Sequence, residues 1–192
     1  DNVHVEQKAN SYFYNFDLAC GATMARSDVD VNLLGSGADV SLNGFYQAKG
    51  NQHIDQHSHI QHHVENCTSS EHFRGTIDDK ARAVFNGKII IDKDAQKSQT
   101  QQINKNLLLS SQAEVDTKPE LEIYANDVKA AHGATVGQLD ESALFYLQAR
   151  GITRADAMQL LMQGFAYAVF DTIKDDKVQK HYKQQLTVGE FE

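Results

Sequence analysis

From Tyr12 to about residue 125, apolar side chains recur at every second position, and no stretch before residue 139 carries a helical period. Tyr12, Tyr14, Phe16, Leu18 and Cys20 share one face, and Val29, Val31 and Leu33 repeat the pattern. Val40 and Leu42, then Ile54, Ile60 and Val64, continue it, followed by Leu107-Leu108-Leu109 and Leu121 with Ile123. Alternation at period two makes strands with one buried face. Many such strands without helices leave a sandwich, a barrel or a β-solenoid. Glycines 35, 37, 44, 50, 75 and 87 read as punctuation, with Asn86-Gly87 as a tight turn between Val84-Phe85 and Ile89-Ile90-Ile91. Polar rows such as Asp28-Val29-Asp30-Val31-Asn32 and the lack of long loops favour the solenoid. Each turn of a solenoid buries its inward side chains only against its neighbours. No strict sequence repeat accompanies the pattern.

After residue 139 the period becomes helical. Asp140 caps a helix over Glu141–Arg150, and Gly151 stops it. Ala143, Leu144 and Leu147 share its apolar face. Thr153 with Asp156 resembles a capping box and opens a second helix over about 154–173. Its apolar stripe is Ala157, Leu160, Leu161, Phe165, Ala168 and Val169. A third, charged helix is expected within Asp171–Gln185. The expected division is therefore a β region over 1–138 and a small helical domain over 139–192.

Charge narrows the partners. Eighteen basic against 26 acidic residues give a net charge of −8, which argues against nucleic acid or an anionic membrane. No apolar run approaches the ~20 residues that span a bilayer, and no signal-peptide pattern is visible. Two separated cysteines, Cys20 and Cys67, make neither a disulfide framework nor a four-thiolate metal site. Reduced thiols suit a cytoplasmic protein. The chain begins at Asp1 rather than Met, as a piece of a longer chain would.

Three features carry possible chemistry. Along Gln52–His63, a strand would turn His53, Asp55, His57, His59, Gln61 and His63 to one side. Three imidazoles on one face suit Zn²⁺ or Fe²⁺, yet same-face neighbours on a strand stand about 6.6–7 Å apart. A solvated polar ladder is the favoured reading. Glu120, Glu122 and Asp127 suit polyuronide chemistry only if they converge, and alternating acids on an exposed strand usually serve solubility. Gly35-Ser36-Gly37 lacks the Lys and helix of a phosphate loop, and no nucleophile constellation stands out. Last, His132 lies among small residues in Ala130-Ala131-His132-Gly133-Ala134, where the strands give way to helices. It suits a metal ligand, an interface residue or a plain loop position. The alternatives to a binding module are thus a secreted or cytosolic β-helix enzyme: polysaccharide-acting, or a metallohydrolase using His57, His59 and His63.

Several collinear segments resemble one family. Asn106-Leu107-Leu108-Leu109-Ser110, Ala113–Ala125, His132–Gly137, Ala143–Leu147 with Arg150-Gly151-Ile152, and Leu160-Leu161 with Gly164-Phe165-Ala166 are similar to the SufB/SufD family of iron–sulfur cluster assembly scaffolds. Upstream, Cys67-Thr68-Ser69, Arg74-Gly75, Ala83–Ile89 and Ala95-Gln96-Lys97 agree. The detail is closest to the SufD branch.

The resemblance implies a mainly β fold, a right-handed parallel β-helix followed by a small C-terminal α-helical domain. It implies a non-catalytic scaffold that pairs with a SufB-like subunit through the β-helix. A SufC-like ABC ATPase docks on the C-terminal helices; Arg150, Gly151, Ile152, Leu160, Leu161 and Phe165 are the candidate contacts. In isolation the same surface allows a homodimer. His132 matches the family's histidine implicated in cluster assembly, so it becomes the candidate ligand of a nascent, transient iron–sulfur cluster, with no cofactor expected in the isolated chain. Relatives often read Cys-Ser-His where this chain has Ala130-Ala131-His132, so any thiolate there comes from the partner.

Overall fold

The computed structural model describes residues 1–188. Ten strands precede three helices. They are β1 (Asn2–Gln7), β2 (Tyr12–Cys20), β3 (Met24–Leu33), β4 (Asp39–Ala48), β5 (His53–His62), β6 (Thr68–Ile77), β7 (Arg82–Ile91), β8 (Gln99–Leu108), β9 (Glu114–Ile123) and β10 (Lys129–Gly137). Odd strands form one parallel sheet in the order β1-β3-β5-β7-β9, and even strands a second, in the order β10-β8-β6-β4-β2. The chain therefore alternates between two facing sheets and advances one strand per sheet with each turn. That is a β-solenoid, as the alternation requires and the resemblance implies.

The turns repeat in geometry without repeating in sequence. Met24 pairs with His53 and His53 with Arg82, a 29-residue step each time. Two residues before each of β2, β4, β6 and β8 stands a residue in the left-handed region: Asn10, Gly37, Asn66 and Lys97, with φ of 57°, 74°, 61° and 59°. The opposite corners use Gly21, Gly50 and Asp79 in the same way. Gly, Asn and Asp adopt this conformation at low cost.

Inward side chains fill the space between the sheets. Val31, Leu33, Ile60, Ile89 and Ile91 come from one sheet, and Val40, Leu42, Tyr46 and Ile77 from the other. The rings of Phe73 and Phe85 meet at 5.2 Å across this core.

Two expectations are corrected here. Asn86-Gly87 is no turn: both residues lie inside the continuous strand β7. Gly44 and Gly75 likewise lie mid-strand, in β4 and β6. These glycines exist for space, since a Cβ at Gly44 would overlap the ring of Phe73, and one at Gly87 would overlap Gln102 Nε2 and crowd Glu71 Oε2. Gly37 and Gly50 do sit at corners.

The helices are α1 (Glu141–Ala149), α2 (Arg154–Phe170) and α3 (Asp176–Val188). Asp140 accepts from Ser142 N at 2.8 Å, and Gly151 takes φ 86° beyond the C-cap. Thr153 Oγ1 accepts from Asp156 N at 3.2 Å and donates to Asp156 Oδ2 at 2.6 Å. The carboxylate thus engages the cap hydroxyl rather than the cap backbone.

The α2 stripe also needs correcting. Its buried residues are Ala157, Met162, Ala166, Val169 and Phe170, whereas Leu160 is 49% exposed and Ala168 is exposed. The cause is a second core on the outer face of the even sheet, which draws in a different arc of the helix. Phe45, Ala166, Val169, Phe170 and Ile173 form it, with Tyr14, Phe16, Leu18 and Tyr182 packed around them. Phe170 stands 5.2 Å from Phe16 and 5.7 Å from Phe45.

Candidate functional site

Strand β10 ends the solenoid. It pairs with β8 on one side and has no partner strand on the other among the described residues. Ala130 packs partly against the interior core, so alternation turns residues 130, 132, 134 and 136 inward. The register agrees: Ala130 lies beside Thr100, His132 beside Gln102, Ala134 beside Asn104 and Val136 beside Asn106, and all four β8 residues are buried. With no further turn above it, the inward row of β10 meets solvent. His132 is exposed and makes no hydrogen bond or ion pair among the described residues, and Val136 and Ile123 remain 48% and 42% exposed.

Beneath His132 runs a polar column. Gln102, fully buried, lies beside Glu71 of β6 and donates from Nε2 to Glu71 Oε2 at 2.5 Å. Burial pushes the Glu71 carboxyl up, against weaker opposing pulls from Ser58 and Gln102. The Ser58 hydroxyl lies on this carboxyl without the geometry of a full hydrogen bond. Gln102 Oε1 has no partner among the described residues. A second polar group lies alongside. Tyr46 donates its hydroxyl to Asn106 Oδ1 at 2.5 Å and accepts from Asn104 Nδ2 at 3.0 Å, while Thr117 of β9 donates to Asn104 Oδ1 at 2.8 Å.

The histidine-rich strand is resolved differently. Its burial alternates as the sequence implies, with Ile54, Ile60 and His62 inward. Outside, His57, His59 and His63 are paired with acids, as is His4 of β1. His57 Nε2 lies 2.7 Å from Asp55, and His59 and His4 both meet Asp30 at 2.8 Å. His63 lies between Asp92 at 2.9 Å and Asn32 at 3.0 Å. Arg26 bridges Asp28 and Asp55. Burial raises the Asp30 carboxyl, but the hydrogen bonds from His59 and His4 outweigh it and hold it below the usual range. No set of three His, Cys, Asp or Glu side chains among the described residues is placed to hold a metal ion. Glu120 and Glu122 are bound to Lys118 and Lys88 respectively.

The candidate docking residues divide. Leu160 is half exposed, and Leu161 and Ile152 are partly buried. Gly151 is the left-handed cap, and the Arg150 guanidinium stacks 4.9 Å from the Tyr146 ring. Phe165 turns toward the sheet, where Arg74 lies 4.9 Å from its ring and donates to its carbonyl at 2.9 Å. Two residues outside the expected set stand out: Phe145 and Tyr146 of α1 are 74% and 58% exposed. The signal was available, because both fall off the face shared by Ala143, Leu144 and Leu147. The Glu71–Gln102 column was not foreseeable, since buried and solvated polar residues look alike in a strand.

Comparison with known proteins identifies the family. Residues 1–165 match the family described as SUF system FeS cluster assembly, SufBD core domain. The chain is 36% identical over 186 residues to the iron-sulfur cluster assembly protein SufD of Escherichia coli K12, covering 97% of this chain and 43% of that protein. It is 35% identical over 181 residues to the SufBD family protein slr0076 of Synechocystis, covering 94% of this chain and 40% of the relative. It is 32% identical over 187 residues to the chloroplastic protein ABCI7 of Arabidopsis thaliana, covering 95% and 39%. The chain thus spans less than half the length of these relatives. With the family match over residues 1–165 and the strand-then-helix order that carries His132 to the end of a β-solenoid, this chain belongs to the SufBD core family.

Proposed function

We propose that this chain is the core of a scaffold subunit for iron–sulfur cluster assembly, without turnover of its own. The observation that carries the reading is His132, held on the inward row of the solenoid end and without a hydrogen-bond or ion-pair partner among the described residues. A neutral imidazole binds iron through one nitrogen, and a scaffold that must release its cluster gains from a ligand weaker than thiolate. The nascent cluster is cargo here. Cys67 is buried, Cys20 is exposed but ends β2 at the far edge of the sheet from β10, and Ala130 offers no thiolate, so in this reading thiolates beside His132 are supplied by the other subunit.

In this reading a SufB-like subunit covers the open end, where β9 and β10 leave inward side chains wet. A second copy of this chain takes its place in isolation. A SufC-like ATPase docks on the helices around Phe145, Tyr146 and Leu160, whose exposure is of the kind that marks protein contacts. Two of these three relatives are named as iron–sulfur cluster assembly proteins, which supports the reading.

The test is iron and sulfide content of the full-length complex, purified without oxygen, for wild type, His132→Ala and His57→Ala. A loss confined to His132→Ala is expected. Equal content in wild type and His132→Ala, with the complex intact, removes His132 from the mechanism. A loss confined to His57→Ala moves the site to the outer ladder. For docking, Phe145→Asp with Leu160→Asp is expected to abolish ATPase binding while the β fold survives.

A further inference from the structure

We propose that Gln102, held in place by Glu71, positions the His132 imidazole by accepting its N–H, leaving the other ring nitrogen to face outward as the ligand. The inference rests on the reading of His132 given above.

The geometry is specific. His132, Gln102 and Glu71 occupy one inward column on three consecutive strands of one sheet, each about 4.8 Å from the next. Gln102 is fully buried, and its Nε2 is committed downward to Glu71. Its Oε1 is therefore the free end of the amide, and it has no partner among the described residues. A buried acceptor without a donor is costly and rare. The next residue in the column is His132, which carries a donor and makes no hydrogen bond among the described residues. The column is also made room for: a Cβ at Gly87 would overlap Gln102 Nε2 and crowd Glu71 Oε2. Glu71 fixes which way the amide points, because its oxygen takes the Nε2 hydrogen and turns Oε1 away.

At an uncapped end, water competes for the imidazole. Once a partner covers that end, the competing water is removed and Gln102 Oε1 is the acceptor within reach. A histidine ligand whose remote nitrogen is so held has a fixed tautomer and ring orientation. Gln102 and Glu71 are then positioning residues, neither touching the cluster.

The test uses the full-length protein in its complete complex, with histidine rings labelled with ¹⁵N. Solid-state NMR of the sedimented, cluster-free complex reads the His132 tautomer, assigned by its disappearance in His132→Ala. Wild type is expected to show one dominant tautomer. Gln102→Met, which keeps the chain length but removes the acceptor, is expected to shift the tautomer ratio about fivefold, the worth of one net hydrogen bond. Glu71→Gln, which lets the amide turn, is expected to shift it in the same direction by less. Circular dichroism monitors folding; if Gln102→Met fails to fold, Gln102→Asn withdraws the acceptor by one methylene and answers the same question. An unchanged ratio in a folded Gln102 variant overturns the positioning role, whatever the cluster content. Iron and sulfide in His132→Ala tests the ligand reading separately. Normal cluster content there, with a Gln102-dependent tautomer, leaves the hydrogen bond standing and removes its purpose, which also overturns the proposal.

Discussion

Gly75 lies directly beside Tyr46 in the β4–β6 register, and a Cβ at Gly75 would fall inside the Tyr46 ring. The ring cannot yield. Tyr46 is fully buried, and its hydroxyl is tied to both Asn106 and Asn104. Gly75→Ala is therefore expected to destabilise the solenoid by about 2 kcal/mol, the usual cost of overpacking a closed core. The urea midpoint of the variant against wild type measures it, and an unchanged midpoint would show that the ring has room to shift.

Phe170 joins the helices to the sheet through Phe16 and Phe45 and is fully buried. Phe170→Ala is expected to cost roughly 3–5 kcal/mol. The loss should be local, because the interior core does not include this residue. Hydrogen exchange is expected to quicken in α2 and α3 while β5, β6 and β7 keep their protection. Uniform loss of protection would show that the two cores unfold as one.

His62 gives the fold an acid limit. Burial pushes its pKa down to about 4, with His63 adding to the depression and Asp92 opposing it. The unfolded chain takes up a proton below about pH 6.5, whereas the folded chain does not until about pH 4. Stability is therefore full above pH 6.5 and drains as pH falls toward 4, by on the order of 3 kcal/mol for this residue. His62→Gln, which can still reach Ser69, is expected to flatten this limb in urea titrations at pH 7 and pH 4.5. His72, also lowered to about 4 by burial and by Arg74 and Lys105, accounts for part of the slope that remains.

Glu71 works in the opposite direction. Burial raises its pKa, so the folded chain holds the proton where the unfolded chain has lost it. Its contribution is full below the ordinary carboxylate value and falls as pH rises through the folded one. Glu71→Gln carries no charge at any pH. It is expected to match wild type near pH 4 and exceed it in urea midpoint near pH 8. A variant weaker than wild type at pH 8 would mean that the ionised carboxylate is stabilised by the column.

Local periodicity and local hydrogen bonding made most strands, the change to helices near residue 139 and the caps at Asp140, Thr153 and Gly151 legible, but not β10, whose small residues around His132 show no alternation. The inward and outward assignment of the histidine strand was legible for the same reason. Other features depend on contacts between turns far apart in the chain. Asn86-Gly87 reads as a turn in isolation, yet its glycine makes room for Gln102 and Glu71, which arrive from the opposite sheet. The repeating left-handed corners were hidden because Asn10, Gly37, Asn66 and Lys97 meet one backbone demand with three residue types. The α2 stripe rotated because Phe45 and Phe16 lie where no helical pattern can announce them. His132 appeared in the sequence as a histidine among small residues. Its place above Gln102 and Glu71 comes from pairing between strands about thirty residues apart, a register set by packing between turns rather than by any neighbour along the chain.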